Sequence, residues 1–555
     1  MGKRRRDEKD FHFDYYFFLR LADISKILFP RIEWAVLFTL ATLFFAIASE
    51  VLTFLTGMIP GRIYQALADK SKSEFWHVFL IGSIVYTGKC VLVTLKSFTS
   101  WQLYLSWRKN AVIKLQQCYF NNHAYYKINN IDDYGVDNPD QRITQDTERM
   151  CNQLAINIMP SILIGPFVIA FYTYKTYIST GGLGIAIICG YFIVGIIVNK
   201  FLMSPMVKWN ARVEKAEGDF RYKHVSIRNN AESIALYEAE PFEQYECNRI
   251  FMLLWWRQFK FMCWKLPNLF WQQFYDYYGG ILSYAIQFIP ILITGLYDDL
   301  PIQDLGRIIS NNAFVYMYLI NSFTRITDVA LSTGEMAGIL QRWVIFDRND
   351  DFVVDSAFKK NGTNKLMIYD IHNISYTLPN CYPTQKLLKD FSFAINKDAK
   401  IWITGPSGSG KTSLIRVLSR LWQHETGYIR CGLKRGQILR LSQTPYFPCG
   451  HLSLFQQISF PATGISNSIE RIDNDYVSIT SILNELKLDW LIERCEGLFN
   501  PVEFEWQDTL TPSEQQRLAF ARVLFQQPQL VILDESSSCI DLEIEEHIYQ
   551  LLISV

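Results

Sequence analysis

One stretch decides the fold of this chain: Lys400-Ile-Trp-Ile-Thr-Gly-Pro-Ser-Gly-Ser-Gly-Lys-Thr-Ser-Leu-Ile-Arg-Val-Leu418. It predicts a β-strand (400–404), a glycine-rich loop (405–412) and a helix that starts at 413, and it contains the pattern G-x-x-x-x-G-K-[ST]. Glycines let the loop backbone curl until its N–H groups and the helix N-terminus point at phosphate oxygens. A Gly/Ser-rich linker is the alternative, but it does not explain Lys-Thr at this offset with a helix behind it. The stretch therefore predicts an α/β domain that binds a nucleoside triphosphate.

The loop side chains divide the work of holding phosphate and metal. Lys411 supplies a positive charge near the β- and γ-phosphates, and the Thr412 hydroxyl is suited to Mg²⁺. The predicted phosphate-binding residues are Gly405, Pro406, Ser407, Gly408, Ser409, Gly410, Lys411, Thr412 and Ser413.

An apolar strand ending in two carboxylates, Leu530-Val-Ile-Leu-Asp534-Glu535, supplies the predicted catalytic end of the site. Asp534 is predicted to hold Mg²⁺, and Glu535 to orient and deprotonate the attacking water, because γ-phosphate hydrolysis depends on positioning and charge neutralisation. Gln443 ends another predicted strand and could reach both the ion and the water. Such a strand is a weak signal alone, and its place after the phosphate loop makes the two a matched pair.

A helix N-terminus between these elements is a further candidate for binding anions. Leu510-Thr-Pro-Ser-Glu514-Gln515-Gln516-Arg517 opens an amphipathic helix, whose unpaired N–H groups attract negative charge. Thr511, Ser513 and Glu514 are therefore candidate nucleotide contacts. An ordinary N-capped helix is the alternative reading, with Thr511 or Ser513 as the cap.

The remainder of the chain indicates a membrane protein. Charged residues make up 19% of the 555 residues, below the ~25% of soluble domains. Six stretches approach the ~20 apolar residues that a bilayer requires, although single charges such as Glu50 and Arg325 interrupt four of them. Lys and Arg concentrate in 1–33, 96–150 and 200–265, which places those segments in the cytosol. The six stretches are 34–55, 75–95, 151–174, 181–199, 267–297 and 308–331.

Composition also excludes several functions. Lys plus Arg number 54 and Asp plus Glu number 54, so no net field attracts nucleic acid. The eleven cysteines are scattered without a C-x-x-C pair, and the eight histidines form no ligand spacing, which disfavours a disulfide framework and a zinc site. No cleavable signal peptide follows the basic N-terminus. A metal is predicted only as the ion bound with the nucleotide.

The ordered motifs resemble the nucleotide-binding domain of ABC transporters, and the membrane half is similar to subfamily D, especially to its fourth-member branch of lysosomal cobalamin transporters. The resemblance implies an α-helical six-span transmembrane domain of the ABC exporter type followed by an α/β P-loop nucleotide-binding domain. The apolar spans, the charged segment around Asn361-Gly362 and the change of pattern from 366 onward predict domains at 1–33 (cytosolic), 34–345 (membrane), 346–365 (linker) and 366–555 (ATP-binding cassette, incomplete at its C-terminus). The strings that carry the resemblance are Leu103-Tyr-Leu-Ser-Trp-Arg-Lys109, Asn138-Pro-Asp-Gln-Arg-Ile-Thr-Gln-Asp146, Asn199-Lys200, Gly218-Asp-Phe-Arg-Tyr-Lys-His224, Asn230-Ala-Glu-Ser-Ile-Ala-Leu-Tyr237, Asp276-Tyr-Tyr-Gly-Gly-Ile-Leu-Ser-Tyr284 and Ser538-Cys-Ile-Asp541.

Function and partners follow from the same resemblance. It implies ATP and Mg²⁺ as cofactors, Thr412, Gln443 and Asp534 around the ion, and Glu535 as the catalytic base. It implies a half-transporter that dimerises, most simply with itself, in a lysosomal or endoplasmic reticulum membrane, with an LMBR-type membrane protein as a further partner. The implied activity is ATP-driven export of cobalamin into the cytosol. Import of fatty acyl-CoA into peroxisomes and an ATP-binding scaffold that hydrolyses little ATP remain alternatives.

Three departures from the family pattern bear on hydrolysis. The signature L-S-G-G-Q is replaced by Leu510-Thr-Pro-Ser-Glu514, so a side chain stands at Ser513 where close phosphate approach is expected. The aromatic residue that stacks on adenine falls near Leu378, with Tyr376 or Tyr382 as weak substitutes. The chain ends at Val555 without the switch histidine, which indicates a domain that is incomplete at its C-terminus.

Overall fold

The structure, a computed structural model, describes residues 24–30, 33–130, 139–298, 301, 304–325, 329, 367–379, 386–406, 408–461 and 469–554. The chain divides into two units, Met1–Ala124 with Gly135–Asp351, and Tyr125–Tyr134 with Phe352–Val555. We call them the membrane unit and the nucleotide unit. The predicted linker (346–365) and most of the predicted N-terminal segment (1–33) lie outside the described residues, so those boundaries stay predictions.

The described part of the membrane unit is helical. Apolar runs of this length satisfy every backbone polar group within the helix itself, which a lipid environment demands. Residues 304–325 are also helical, and short π-helical turns occupy Arg142–Asp146, Leu154–Ile158 and Ile289–Ile293. The α-helices are Trp34–Ala68, Lys72–Phe120, Pro139–Gln141, Thr147–Gln153, Met159–Asn229, Ala231–Leu236 and Glu240–Ala285.

Three helical runs among the described residues are long and apolar enough to cross a membrane: Trp34–Ala68, Lys72–Phe120 and Pro139–Asn229. At 1.5 Å per residue the 49 residues of Lys72–Phe120 extend about 70 Å, more than twice the hydrocarbon thickness. Gly181 interrupts the third run with φ 63° and ψ −158°, close to the turn that the sequence predicts between spans at 175–180. The total of six spans stays a prediction.

The helices of the membrane unit pack through an aromatic core. Tyr172, Tyr316 and Leu319 are almost fully buried in it together with Ile188 and Ile286. Glycine allows close approach at one contact, because a Cβ on Gly57 would lie 2.1 Å from the ring of Phe314. Small residues at helix crossings are the usual way in which membrane helices gain van der Waals contact.

The described part of the nucleotide unit contains two small sheets. In the antiparallel sheet β1 (Met367–Thr377) lies between β2 (Lys386–Asn396) and β3 (Thr426–Cys431). In the other sheet β4 (Ile438–Leu441) pairs in parallel with β5 (Leu530–Leu533), with Leu441 opposite Leu533. The carboxyl ends of these two parallel strands therefore lie side by side, which brings together the residues that follow them.

Helices and a helical core complete this unit. Leu483, Leu491, Trp506, Leu518 and Phe520 are buried in one cluster that joins the helices after β4 to β5. A segment from the other half of the chain also belongs here, since Trp422 Nε1 donates to the Tyr126 hydroxyl at 3.1 Å. The helices are Ala124–Asn130, Lys411–Leu418, Leu454–Ser459, Ile469–Glu485, Trp490–Arg494, Trp506–Thr509, Pro512–Gln526 and Leu542–Ser554.

Candidate functional site

The glycine-rich loop has the backbone geometry that the motif predicts. Gly408 and Gly410 have φ values of 81° and 94°, in the left-handed region that favours glycine. Gly410 is the N-cap of the helix Lys411–Leu418, so the first N–H groups of that helix face the loop. Lys411 Nζ donates to the carbonyl oxygens of Gly405 (2.9 Å) and Pro406 (3.2 Å). The loop thus forms a ring closed by its own lysine, while Ser407 lies outside the described residues.

The strand predicted at 400–404 is wrong as a strand. The backbone there forms no ladder within the described part of the chain, and Trp402 is 81% exposed. Strand formation requires hydrogen bonds from a neighbouring strand, and β5 pairs with β4 instead. The apolar residues Ile401 and Ile403 are consequently exposed and not buried between strands.

The carboxylates after β5 meet two polar side chains from elsewhere in the nucleotide unit. Thr412 Oγ1 donates to Asp534 Oδ1 at 3.1 Å, and Gln443 Nε2 donates to Glu535 Oε2 at 3.3 Å. Register explains the second contact, because the Asp534 N–H continues the ladder to the Leu441 carbonyl at 3.0 Å. Four of the predicted residues therefore converge at one edge of the β4–β5 sheet. Hydroxyl, amide and carboxylate oxygens are the donor atoms that Mg²⁺ accepts, so the cluster fits that ion.

Glu535 is exposed and adopts φ 49°, a left-handed conformation that is uncommon for a residue with a side chain. Such conformations cost of order 1–3 kcal/mol and persist where the surrounding structure fixes them. Among the described residues no group of three or more Cys, His, Asp or Glu side chains is placed to hold a metal ion.

The signature helix, Pro512–Gln526, begins with a capping box. The Glu514 carboxylate accepts from Thr511 N (2.9 Å) and from Thr511 Oγ1 (2.8 Å), and Thr511 is the N-cap. The prediction that Thr511 or Ser513 caps this helix is confirmed for Thr511. Within the described residues no hydrogen bond joins Thr511, Ser513 or Glu514 to the phosphate loop or to Glu535, so their assignment to nucleotide stays a prediction.

Sequence reasoning missed one residue in this region. Gln516, one helical turn after Thr511, is 2% exposed and contacts the backbone of Gln443 and the loop Ser538–Cys539. Only its helical spacing from the buried apolar residues Ala519 and Phe520 could have marked it as facing the core. The suggested adenine contact is also corrected: Tyr376 is 1% exposed in the core of the antiparallel sheet and cannot stack on a ligand, and Tyr382 lies outside the described residues.

Charged residues of the membrane unit neutralise one another. Glu50 accepts from the Tyr318 hydroxyl at 2.5 Å and pairs with Arg325 at 3.4 Å. Glu50 and Arg325 border a cavity of about 50 Å³ that Lys96 and Ser161 also line. Arg325 therefore has a partner on another helix, whereas Asp328, the partner that helical spacing suggests, lies outside the described residues.

Comparison with known proteins covers both units. The family described as "ABC transporter transmembrane region 2" matches residues 24–292, and the family described as "ABC transporter" matches residues 388–538. The chain is 34% identical to the "Lysosomal cobalamin transporter ABCD4" of Homo sapiens, over 97% of this chain and 91% of that protein. It is 26% identical to "ABC transporter D family member 3" of Dictyostelium discoideum, over 98% and 84%, and to "ATP-binding cassette sub-family D member 3" of Homo sapiens, over 97% and 84%. The chain therefore belongs to the D subfamily of ABC transporters, membrane proteins that hydrolyse ATP to drive transport.

Proposed function

We propose that this chain is one half of a dimeric transporter that uses ATP to export cobalamin from lysosomes to the cytosol. The observation that carries the proposal is the 34% identity to a protein named as a lysosomal cobalamin transporter, over 97% of the chain. All ABC transporters share the ATP-binding domain, so cargo is encoded in the membrane unit. Likeness over nearly the whole chain includes that unit, and this favours the same cargo over one specific to a more distant D-subfamily member.

In this proposal the loop 405–412 holds the triphosphate. Its N–H groups and the Lys411 ammonium, which donates to the Gly405 and Pro406 carbonyls, would turn to phosphate oxygens. Thr412, Gln443 and Asp534 would hold Mg²⁺, since their oxygens already lie at one edge of the β4–β5 sheet. The ion, when bound, neutralises charge on the β- and γ-phosphates.

Glu535 would orient the attacking water and take its proton, with Gln443 holding the carboxylate through the 3.3 Å contact. Thr511, Ser513 and Glu514 would serve the nucleotide bound by the second subunit, which agrees with their lack of a hydrogen bond to the phosphate loop within the described residues. ATP binding would thereby favour a closed pair of nucleotide units, and hydrolysis would release it.

The location follows from the same relationship and from charge. The basic segments 1–33, 96–150 and 200–265 would face the cytosol with the nucleotide unit, in a lysosomal or endoplasmic reticulum membrane. Co-localisation of the tagged chain with a peroxisomal marker instead of a lysosomal one would favour the acyl-CoA alternative.

Transport tests the cargo directly. Purified chain is reconstituted into proteoliposomes with the nucleotide units facing outward, and labelled cobalamin is loaded inside. We expect ATP to release the label and Glu535→Gln to abolish the release. Equal retention of the label with and without ATP refutes the cobalamin assignment. ATPase activity that is stimulated by the cargo of another D-subfamily member would assign the chain that cargo instead.

Nucleotide affinity tests the phosphate loop. Two unit charges 4 Å apart attract by about 4 kcal/mol at an effective dielectric constant of 20, and the surrendered carbonyl hydrogen bonds offset about half of this. Lys411→Ala should therefore weaken ATP binding by about 30-fold, and exposed Lys400→Ala, just outside the loop, should leave it unchanged. Equal ATPase rates for wild type and Glu535→Gln would favour a scaffold that binds ATP without turning it over.

A further inference from the structure

Gln516 is the most deeply buried polar residue near the proposed catalytic edge. It lies in the second turn of the signature helix and is 2% exposed. A buried amide without partners is costly, because it has given up its hydrogen bonds to water. The amide of a buried glutamine at this position must therefore find its hydrogen-bond partners within the protein.

All of its hydrogen-bonding groups are used, and on two different loops. Nε2 donates to the Gln443 carbonyl at 3.0 Å and to Ser538 Oγ at 3.2 Å. Oε1 accepts from the Cys539 N–H at 2.9 Å. One planar amide thus fixes the backbone after β4 to the loop after β5.

Both loops carry or adjoin the proposed catalytic residues. Gln443, whose carbonyl Gln516 holds, donates through its own side chain to Glu535 at 3.3 Å. Ser538 N–H donates to the Glu535 carbonyl, so the turn that Gln516 holds at Ser538 and Cys539 begins at Glu535. The left-handed backbone of Glu535, at φ 49°, needs such external support.

We propose that Gln516 is a positioning residue for ATP hydrolysis, which holds Gln443 and the Glu535 turn in register with the signature helix. This inference rests on the proposed roles of Gln443 and Glu535. Gln516 touches neither of their side-chain functional groups, so it acts through them. Its loss should reduce the catalytic rate constant while the triphosphate loop, which it does not contact, keeps its affinity.

The isosteric substitution Gln516→Glu gives a readout that a purely structural role does not. An ionised carboxylate faces the Gln443 carbonyl with no proton to donate, whereas a protonated one restores one donor. Burial raises the pKa of such a carboxyl above its usual range, so the protonated fraction grows as the pH falls from 8 to 6. We expect kcat at pH 8 to fall about 10-fold relative to wild type, KM for ATP to change less than about 2-fold, and the variant-to-wild-type ratio to recover several-fold by pH 6.

Gln515→Glu is the matched control. Gln515 is the neighbouring glutamine, is only partly buried, and donates to the Gln507 and Leu510 carbonyls away from the catalytic edge. Its ratio to wild type should stay flat from pH 6 to 8. All assays use the purified full-length chain, and binding of a fluorescent ATP analogue verifies the nucleotide unit of each variant.

A second variant provides a test in case Gln516→Glu does not fold. Ser538→Ala removes one acceptor of the Gln516 amide from an exposed position, and we expect a 2- to 5-fold lower kcat at unchanged KM. A pH-independent ratio for Gln516→Glu, or wild-type kcat in Ser538→Ala where Gln516→Glu does not fold, overturns the inference. If Glu535→Gln hydrolyses ATP at the wild-type rate, the proposed catalytic role of Glu535 is refuted. If Glu535→Gln is inactive but the Gln516 variant has the wild-type kcat, only the positioning role of Gln516 is refuted.

Discussion

Arg522, further along the signature helix, offers a test of how that helix is held in place. It is 5% exposed, and no carboxylate of the described residues lies within salt-bridge distance. Its guanidinium donates to the Gln457 carbonyl at 2.9 Å and the Tyr446 carbonyl at 2.8 Å. It also lies over two rings, Phe447 at 4.6 Å and Phe460 at 5.1 Å. A charge buried among carbonyls and rings has opposing contributions to stability.

The balance can be worked from the contacts. Burial lowers the pKa of Arg522 to about 10, from a usual value above 12, which corresponds to about 3 kcal/mol against the charged form. Two hydrogen bonds from a charged donor contribute about 3–6 kcal/mol, and two ring contacts contribute about 1–3. Replacing Arg522 with Met removes both the cost and the gains. We expect a net loss of about 1–6 kcal/mol from local stability.

Backbone hydrogen exchange in the full-length chain measures this locally. In peptides covering 512–526 and 454–459, Arg522→Met should accelerate exchange by about 5- to 20,000-fold, since each 1.4 kcal/mol is a factor of ten. Arg517→Met is the matched control on the same helix. Arg517 is only half-buried, so water weakens its hydrogen bonds to the Leu486 and Lys487 carbonyls, and its loss should accelerate exchange less than the loss of Arg522 does.

The direction of the pH effect adds a second criterion. In Arg522→Lys, the same burial should lower the lysine pKa below its usual value of about 10.4. Between the lowered pKa and the usual one the unfolded state binds more protons than the folded state, so stability relative to wild type rises with pH in that window and is flat below it. Exchange in Arg522→Met within 3-fold of wild type, or a lysine variant that loses relative stability from pH 7 to 9, refutes the reasoning.

Two further substitutions probe the nucleotide unit. A Cβ on Gly427, which has φ 80°, would lie 2.2 Å from the His372 carbonyl oxygen, so Gly427→Ala should cost at least about 3 kcal/mol in thermal or chemical unfolding, while Gly436→Ala, with open space around it, should cost less than 1. Trp506 is 1% exposed and its Nε1 donates to the Leu452 carbonyl at 3.2 Å; Trp506→Phe should lower stability by about 2 kcal/mol, and an unchanged unfolding midpoint would show that this hydrogen bond contributes nothing.

Local patterns predicted the parts of the site that depend on neighbours in sequence. The helix after the glycine loop, the strand before Asp534 and the cap at Thr511 each follow from a few adjacent residues. The prediction of a strand at 400–404 is wrong because a strand also needs a hydrogen-bonded neighbour, and five residues of sequence do not identify that neighbour. The weak suggestion that Tyr376 stacks on adenine is wrong for a similar reason, since which face of β1 is covered depends on helices elsewhere in the unit.

Contacts of the signature helix lie beyond the reach of such patterns. The hydrogen-bond partners of Gln516 are 73, 22 and 23 residues away in the sequence. The periodicity of the helix itself therefore does not show which loops bury this glutamine. A glutamine on the same helix face as Ala519 and Phe520 indicates at most that the position faces the core. The partners emerge only when β4 and β5 lie side by side.

Gln516 and Arg522 together join the signature helix by hydrogen bonds to both ends of the segment 443–457. Gln516 holds Gln443 at the start, and Arg522 holds Tyr446 close behind it and Gln457 at the far end. The two side chains are six positions apart on the helix, so they point to different sides of it, and the segment between must follow the helix as a body. We therefore expect a displacement of the signature helix to move the Gln443 side chain and, through its 3.3 Å contact, Glu535. In a dimeric ABC transporter, association of the two nucleotide-binding domains is coupled to ATP hydrolysis. The hydrogen bonds of Gln516 and Arg522 connect the signature helix to the residues proposed to catalyse that hydrolysis.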